Sequence, residues 1–137
     1  MTPQPSKTYR TPLMILVYSL LVVACVLTVA GEVLLKLGVA RVGEQVGAFS
    51  LDPQVLLATF TEWRVILGFA LVFGGALFWL GVISRVQLSF AYPLLALNYL
   101  ILLIPARFIL DEPITVTRIV GAAIIVVGVV VITWGQG

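Results

Sequence analysis

Residues Leu13–Leu35 read LMILVYSLLVVACVLTVAGEVLL, an apolar run that carries one carboxylate, Glu32, near its end and is followed at once by Lys36. About 20 apolar residues suffice for a helix to cross about 30 Å of hydrocarbon, so this run is long enough to span a membrane. It is continuous rather than alternating, which points to a helix and not to a barrel strand, because backbone amides in lipid must be paired within the segment. An ionisable group in such a run is costly unless it meets a partner charge, water or other helices. Glu32 and Lys36, one helical turn apart, therefore mark a candidate site.

Three further runs follow, at Val65–Ile83, Phe90–Leu110 and Val116–Trp134. The expected architecture is an all-α integral membrane protein, a single bundle of four transmembrane helices over 1–137 with both termini on one side. Composition agrees: 61% of residues are apolar and 10% charged, mean hydropathy is +1.18, and an ordinary globular domain carries roughly 25% charged residues. The first run follows Lys7 and Arg10, and Val22-Val23-Ala24-Cys25 has the form of a lipoprotein cleavage box. Its apolar stretch outlasts the roughly 7–15 residues of a signal peptide, so a retained anchor is expected. Cys25 is the sole cysteine, which excludes an internal disulfide and a cysteine metal cluster and leaves a small buried apolar residue.

Orientation is nearly balanced, with Lys7, Arg10 and Arg85 on the side of the termini and Arg41, Arg64, Arg107 and Arg118 on the other. The basic tail favours termini in the cytoplasm, while the balance also permits insertion both ways up. A net charge of +2 without a basic run gives no nucleic-acid surface. Between the first two runs, Asp52-Pro53 has the form of a helix start. Either a short interfacial helix covers 53–63 and carries Val55, Leu56, Thr59, Phe60 and Trp63, or one tilted helix of about 48 Å runs from Pro53 to Ser84.

Glycines predict helix contacts. Gly68 and Gly75, Gly74 and Gly81, and Gly121, Gly128 and Gly135 repeat at heptad spacing, which keeps each set on one face. The second run is expected to pack within the chain, and Gly121 and Gly128 to form a contact between two chains. The third run contributes Tyr92, Asn98 and Tyr99, while Pro93 and Pro105 remove helix hydrogen bonds and free the carbonyls of Ser89 and Ile101. Asn98 fits either an interhelical hydrogen bond or a ligand contact. Arg107 fits a phosphate contact or a side chain snorkelling to the interface. Arg85 and Arg118 read as topology anchors, Asp111 and Glu112 as caps of the last helix, and Trp79 as a belt residue or part of a substrate path.

Phe90-Ala91-Tyr92-Pro93-Leu94-Leu95-Ala96-Leu97-Asn98-Tyr99, the Asp111-Glu112-Pro113 turn, and Ala30-Gly31-Glu32 followed by Lys36 together resemble the four-helix members of the drug/metabolite transporter superfamily. Within it the chain is similar to the small subunits proposed to flip aminoarabinose-phosphoundecaprenol across the bacterial inner membrane. Gly121-Ala122-Ala123-Ile124-Ile125-Val126-Val127-Gly128-Val129 is also similar to the fourth-helix dimerisation signature of small multidrug resistance proteins. Those exporters place a proton-binding glutamate two turns before a lysine, where this chain has Thr28, and the flippase subunits imply a glutamine-like residue at Glu32.

The resemblance implies a multi-pass inner-membrane flippase for polyprenyl-phosphate-linked or similar amphipathic lipids, acting as a homodimer or with a similar small subunit. Substrate-binding residues would be Glu32, Lys36, Tyr92, Asn98, Tyr99 and Arg107. Glu32 lies about 28 Å along the axis from Leu13, nearer the far headgroups than the midplane. That depth suits a lysine that meets a lipid phosphate and a carboxylate that holds the lysine or a cationic sugar, and it equally allows a plain i,i+4 salt bridge. A proton-coupled exporter of hydrophobic cations and a non-transporting assembly subunit remain the alternatives. No histidine, nucleophile with a base, metal cluster or phosphate-binding glycine loop is visible, so neither catalysis nor a cofactor is expected.

Overall fold

Proline, glycine and the turn residues decide where the helices begin and end in the computed structural model, which describes residues 10–134. The expectations placed on Lys7, the Arg10 side chain and Gly135 fall outside the described residues and side chains. Helix α1, Arg10–Val46, has 37 residues, about 55 Å at 1.5 Å per residue, and so runs well beyond the hydrocarbon thickness. It ends at Gly47, whose φ of 101° is the left-handed cap that glycine adopts without a Cβ clash, with its N–H on the Gly43 carbonyl at 3.2 Å.

Helix α2, Pro53–Thr61, starts where the Asp52 carboxylate accepts the Gln54 N–H at 2.9 Å and proline fills the first turn. The chain then breaks at Glu62, in extended geometry, before α3, Trp63–Ile83. Pro53 to Ser84 is therefore two helices and not one. At the break, Arg64 lies 3.8 Å from the Glu62 carboxylate, within ion-pair range but too far for a hydrogen bond.

The remaining elements are α4, Leu88–Leu95, α5, Asn98–Phe108, and α6, Val116–Trp134. Four stretches are long and apolar enough to cross a membrane: Pro12–Val46, Trp63–Ile83, Leu88–Phe108 and Val116–Trp134. The protein is an all-α, four-span membrane protein, with no strand among the described residues. Helices α4 and α5 are one span with a tightened middle. The Ala96 and Leu97 N–H groups turn to Pro93 and Leu94, three residues back, at 3.1 Å each. This is the geometry of a 3₁₀ turn, set just after a proline that cannot donate.

Helices α1 and α3 form the tightest pair, and glycine makes the contact possible. A Cβ on Gly68 would sit 2.9 Å from the Gly31 carbonyl oxygen, and one on Gly31 would sit 2.7 Å from that of Gly68. Gly38 meets Val65, Gly75 meets Thr28 and Gly81 meets Leu20, so the numbers fall as they rise and the helices are antiparallel. Gly74 makes only an ordinary contact with Leu27. At the end of the bundle away from Lys36, Val17, Leu21, Cys25, Val82, Phe90, Ala91, Leu94 and Val129 form one buried cluster that draws on all four spans. Among the described residues, nothing outside the adjoining turns of α6 lies within 4 Å of where a Cβ on Gly121 or Gly128 would be, so that side of α6 is open.

Candidate functional site

The turn between α5 and α6 decides the site. Asp111 adopts φ 51°, a left-handed conformation that a short polar side chain tolerates, and the Glu112 N–H returns to the Ala106 carbonyl at 2.9 Å. This turn carries the Glu112 carboxylate to α1, where Oε1 lies 3.0 Å from Lys36 Nζ, while Oε2 lies 3.8 Å from Arg118. The expected roles are corrected on two counts. Lys36 pairs with Glu112 rather than with Glu32, and the Arg118 N–H is capped by the Thr115 hydroxyl rather than by Asp111 or Glu112. A cap must directly precede the first helical residue, and Pro113 and Ile114 hold the two carboxylates too far upstream.

Glu32, Lys36 and Glu112 line one cavity of about 210 Å³, together with Val33, Leu102, Ala106 and Leu110. Glu32 is exposed, and among the described residues no cation lies within ion-pair distance of it. The cavity thus holds a lysine bridged by one carboxylate and a second carboxylate with room for an incoming cation. On the other side of Val33 an apolar groove of about 460 Å³ runs between α1 and α5, walled by Val29, Leu37, Ile101, Ile104 and Pro105 among others. Charged cavity and apolar groove adjoin at one valine.

Asn98 lies elsewhere. It lines a third cavity of about 270 Å³, together with Ala24, Thr28, Val72, Gly75, Ala76, Trp79 and Leu95. Its Oδ1 is buried without a hydrogen-bond partner, a state that costs about 1–3 kcal/mol. Tyr92 is exposed and meets Trp79 edge to face, with ring centroids 5.8 Å apart, so Trp79 packs on Tyr92 and lines this cavity. Tyr99 is half-buried and Arg107 exposed, and neither lines the three cavities. Arg85 donates to the Gly81 carbonyl and the Ser84 hydroxyl, closing the end of α3.

The expected site residues therefore divide. Glu32 and Lys36 share a cavity, Asn98 faces another, and Tyr92, Tyr99 and Arg107 stand outside both. Sequence reasoning missed Glu112 and Thr28 as site residues. The available signals were a carboxylate in the proline turn before the last span and a hydroxyl one helical turn before Glu32 in the first.

Similarity to known proteins bears on what such a site handles. The chain is 36% identical over 106 residues, covering 77% of it and 90% of the relative, to the "Probable 4-amino-4-deoxy-L-arabinose-phosphoundecaprenol flippase subunit ArnE" of Pseudomonas syringae pv. syringae strain B728a. It is 31% identical over 120 residues, covering 88% of it and 97% of the relative, to the protein of the same name from Serratia proteamaculans strain 568. The chain belongs to the ArnE family. A third ArnE relative, from Pseudomonas savastanoi pv. phaseolicola strain 1448A / Race 6, is 34% identical over 110 residues, 80% of this chain and 90% of its own. No family model matches the chain, and no solved structure matches it. The ArnE relatives are named as subunits of a transporter rather than as enzymes.

Proposed function

We propose that this chain is a subunit of a flippase that moves a polyprenyl-phosphate-linked amino sugar across the bacterial inner membrane, where it is a multi-pass protein. The observation that carries this reading is the junction at Val33 of a charged cavity holding Glu32, Lys36 and Glu112 with an apolar groove between α1 and α5. A headgroup needs the first and a prenyl tail the second. Lys36 attracts the phosphate as a point charge, exchanging its bond with Glu112 for one with the ligand. Glu32 accepts the sugar ammonium in a charge-assisted hydrogen bond. Family membership favours this reading over a proton-coupled cation exporter and over an assembly subunit.

The open side of α6 at Gly121 and Gly128 supports a second small subunit, identical or related, packed there by close helix contact. Native mass spectrometry of the purified protein, comparing a polyprenyl phosphate that bears an amino sugar with a lipophilic cation, tests the function. Selective retention of the lipid by wild type, lost in Lys36→Met, is expected. Retention of the cation instead, lost in Glu32→Gln, would replace the flippase with an exporter.

A further inference from the structure

Thr28 has as many residues before it in α1 as after it, and Asn98 stands at the midpoint of the Leu88–Phe108 span. The cavity of about 270 Å³ that they share therefore sits near the middle of both helices, about 12 Å along α1 from Lys36. Its walls hold no charged side chain. Two hydrogen-bonding groups meet it without a protein partner. Thr59, Thr61 and Thr133 return their hydroxyls to the carbonyl four residues back, whereas the Thr28 hydroxyl makes no hydrogen bond among the described residues. Asn98 Oδ1 has none either, and a turn about its Cβ–Cγ bond offers the cavity either the carbonyl or the amine of the amide.

Two features show that room is kept for these groups. A Cβ on Gly75 would lie 2.5 Å from the Thr28 hydroxyl, so glycine at that position makes space for the threonine side chain. Trp79, which lines the same cavity, packs edge to face with Tyr92. Unpaired neutral donors and acceptors beside an indole match a ring with hydroxylated edges and a face of C–H bonds. A volume of about 270 Å³ is ample for a pentose ring.

We propose that this cavity is a mid-membrane sugar site, in which Thr28 and Asn98 replace the hydration of the headgroup hydroxyls while the headgroup crosses. It is distinct from the charged cavity, and it rests on the flippase reading. Glu32, one turn from Thr28 and one turn from Lys36, links the two levels along α1.

The test uses the full-length protein and two short-chain probes, polyprenyl phosphate bearing a pentose and the same lipid without the sugar. Retention is compared in wild type, Thr28→Val, Asn98→Leu and Lys36→Met. Thr28→Val and Asn98→Leu should each weaken retention of the sugar-bearing lipid about fivefold, the scale of one neutral hydrogen bond, and leave the sugar-free lipid unchanged. Lys36→Met should weaken both. In a Trp63→Phe, Trp134→Phe background, Trp79 fluorescence should respond to the sugar-bearing lipid alone. If Thr28→Val and Asn98→Leu affect both lipids equally or neither, while Lys36→Met weakens both, the sugar site is overturned and the flippase stands. If wild type retains neither lipid, both readings fall. A lower melting temperature in Asn98→Leu would also overturn the site, because it would reveal a structural partner for an amide that has none here.

Discussion

Lys36 Nζ lies 3.0 Å from Glu112 Oε1, an ion pair that ties the first span to the turn before the last. It closes one side of the charged cavity and leaves Glu32 as the carboxylate facing in. The lysine side chain is 62% exposed and the glutamate 32%, so solvent or headgroup screening keeps the pair modest in energy. Exposed pairs contribute about 0.2–1 kcal/mol.

A double-mutant cycle on Lys36→Met and Glu112→Gln, read by thermal unfolding in detergent, should give a coupling of about 0.5 kcal/mol. Strict additivity of the two changes would mean that the contact does not persist. The parallel cycle on Glu32→Gln and Lys36→Met should show no comparable coupling.

Gly31 and Gly68 approach too closely for any side chain, whereas Gly121 and Gly128 face open space. Gly68→Val should destabilise the monomer by about 1–3 kcal/mol or more, as overpacking does. Gly121→Val and Gly128→Val should leave the unfolding midpoint of the isolated chain within about 0.5 kcal/mol of wild type. Cross-linking yield should fall in those α6 variants if α6 is the contact between subunits, and an unchanged yield would place that contact elsewhere.

Asp52 caps α2 through the Gln54 N–H. Asp52→Ala should cost about 1 kcal/mol, and Asp52→Asn much less. Hydrogen exchange should locate the loss in Pro53–Thr61. Faster exchange spread evenly through α3 would show that α2 does not unfold separately.

Glu32 lacks a cation partner among the described residues and lines the charged cavity. Glu32→Gln should weaken binding of a lipid with an amino sugar about tenfold, the scale of a charge-assisted hydrogen bond. Binding of the same lipid with the amine acetylated should be left alone. Equal loss for both lipids would assign Glu32 to packing or to folding.

Much of the membrane architecture was legible in the chain because it depends on local properties. Run length and apolarity at Val65–Ile83 and Val116–Trp134 reappear as helices over nearly the same residues, since lipid forces the backbone of an apolar run to pair within itself. Asp52-Pro53 marks the start of α2 by chemistry within a few residues. The Glu62 break between α2 and α3 was less visible, because it rests on backbone geometry that neither proline nor glycine enforces.

By itself, the sequence determined an all-α protein of four spans, with charge at Glu32 and Lys36 inside or beside the first of them. Only the tertiary structure decided that Lys36 meets Glu112, that Glu32 keeps an open side, and that Asn98 joins Thr28 and Trp79 rather than the charged pair. The physical reason is range. Hydrophobic run length and capping act over a turn or two of helix, whereas these partners are brought together by the glycine crossing of α1 and α3 and by the left-handed turn at Asp111.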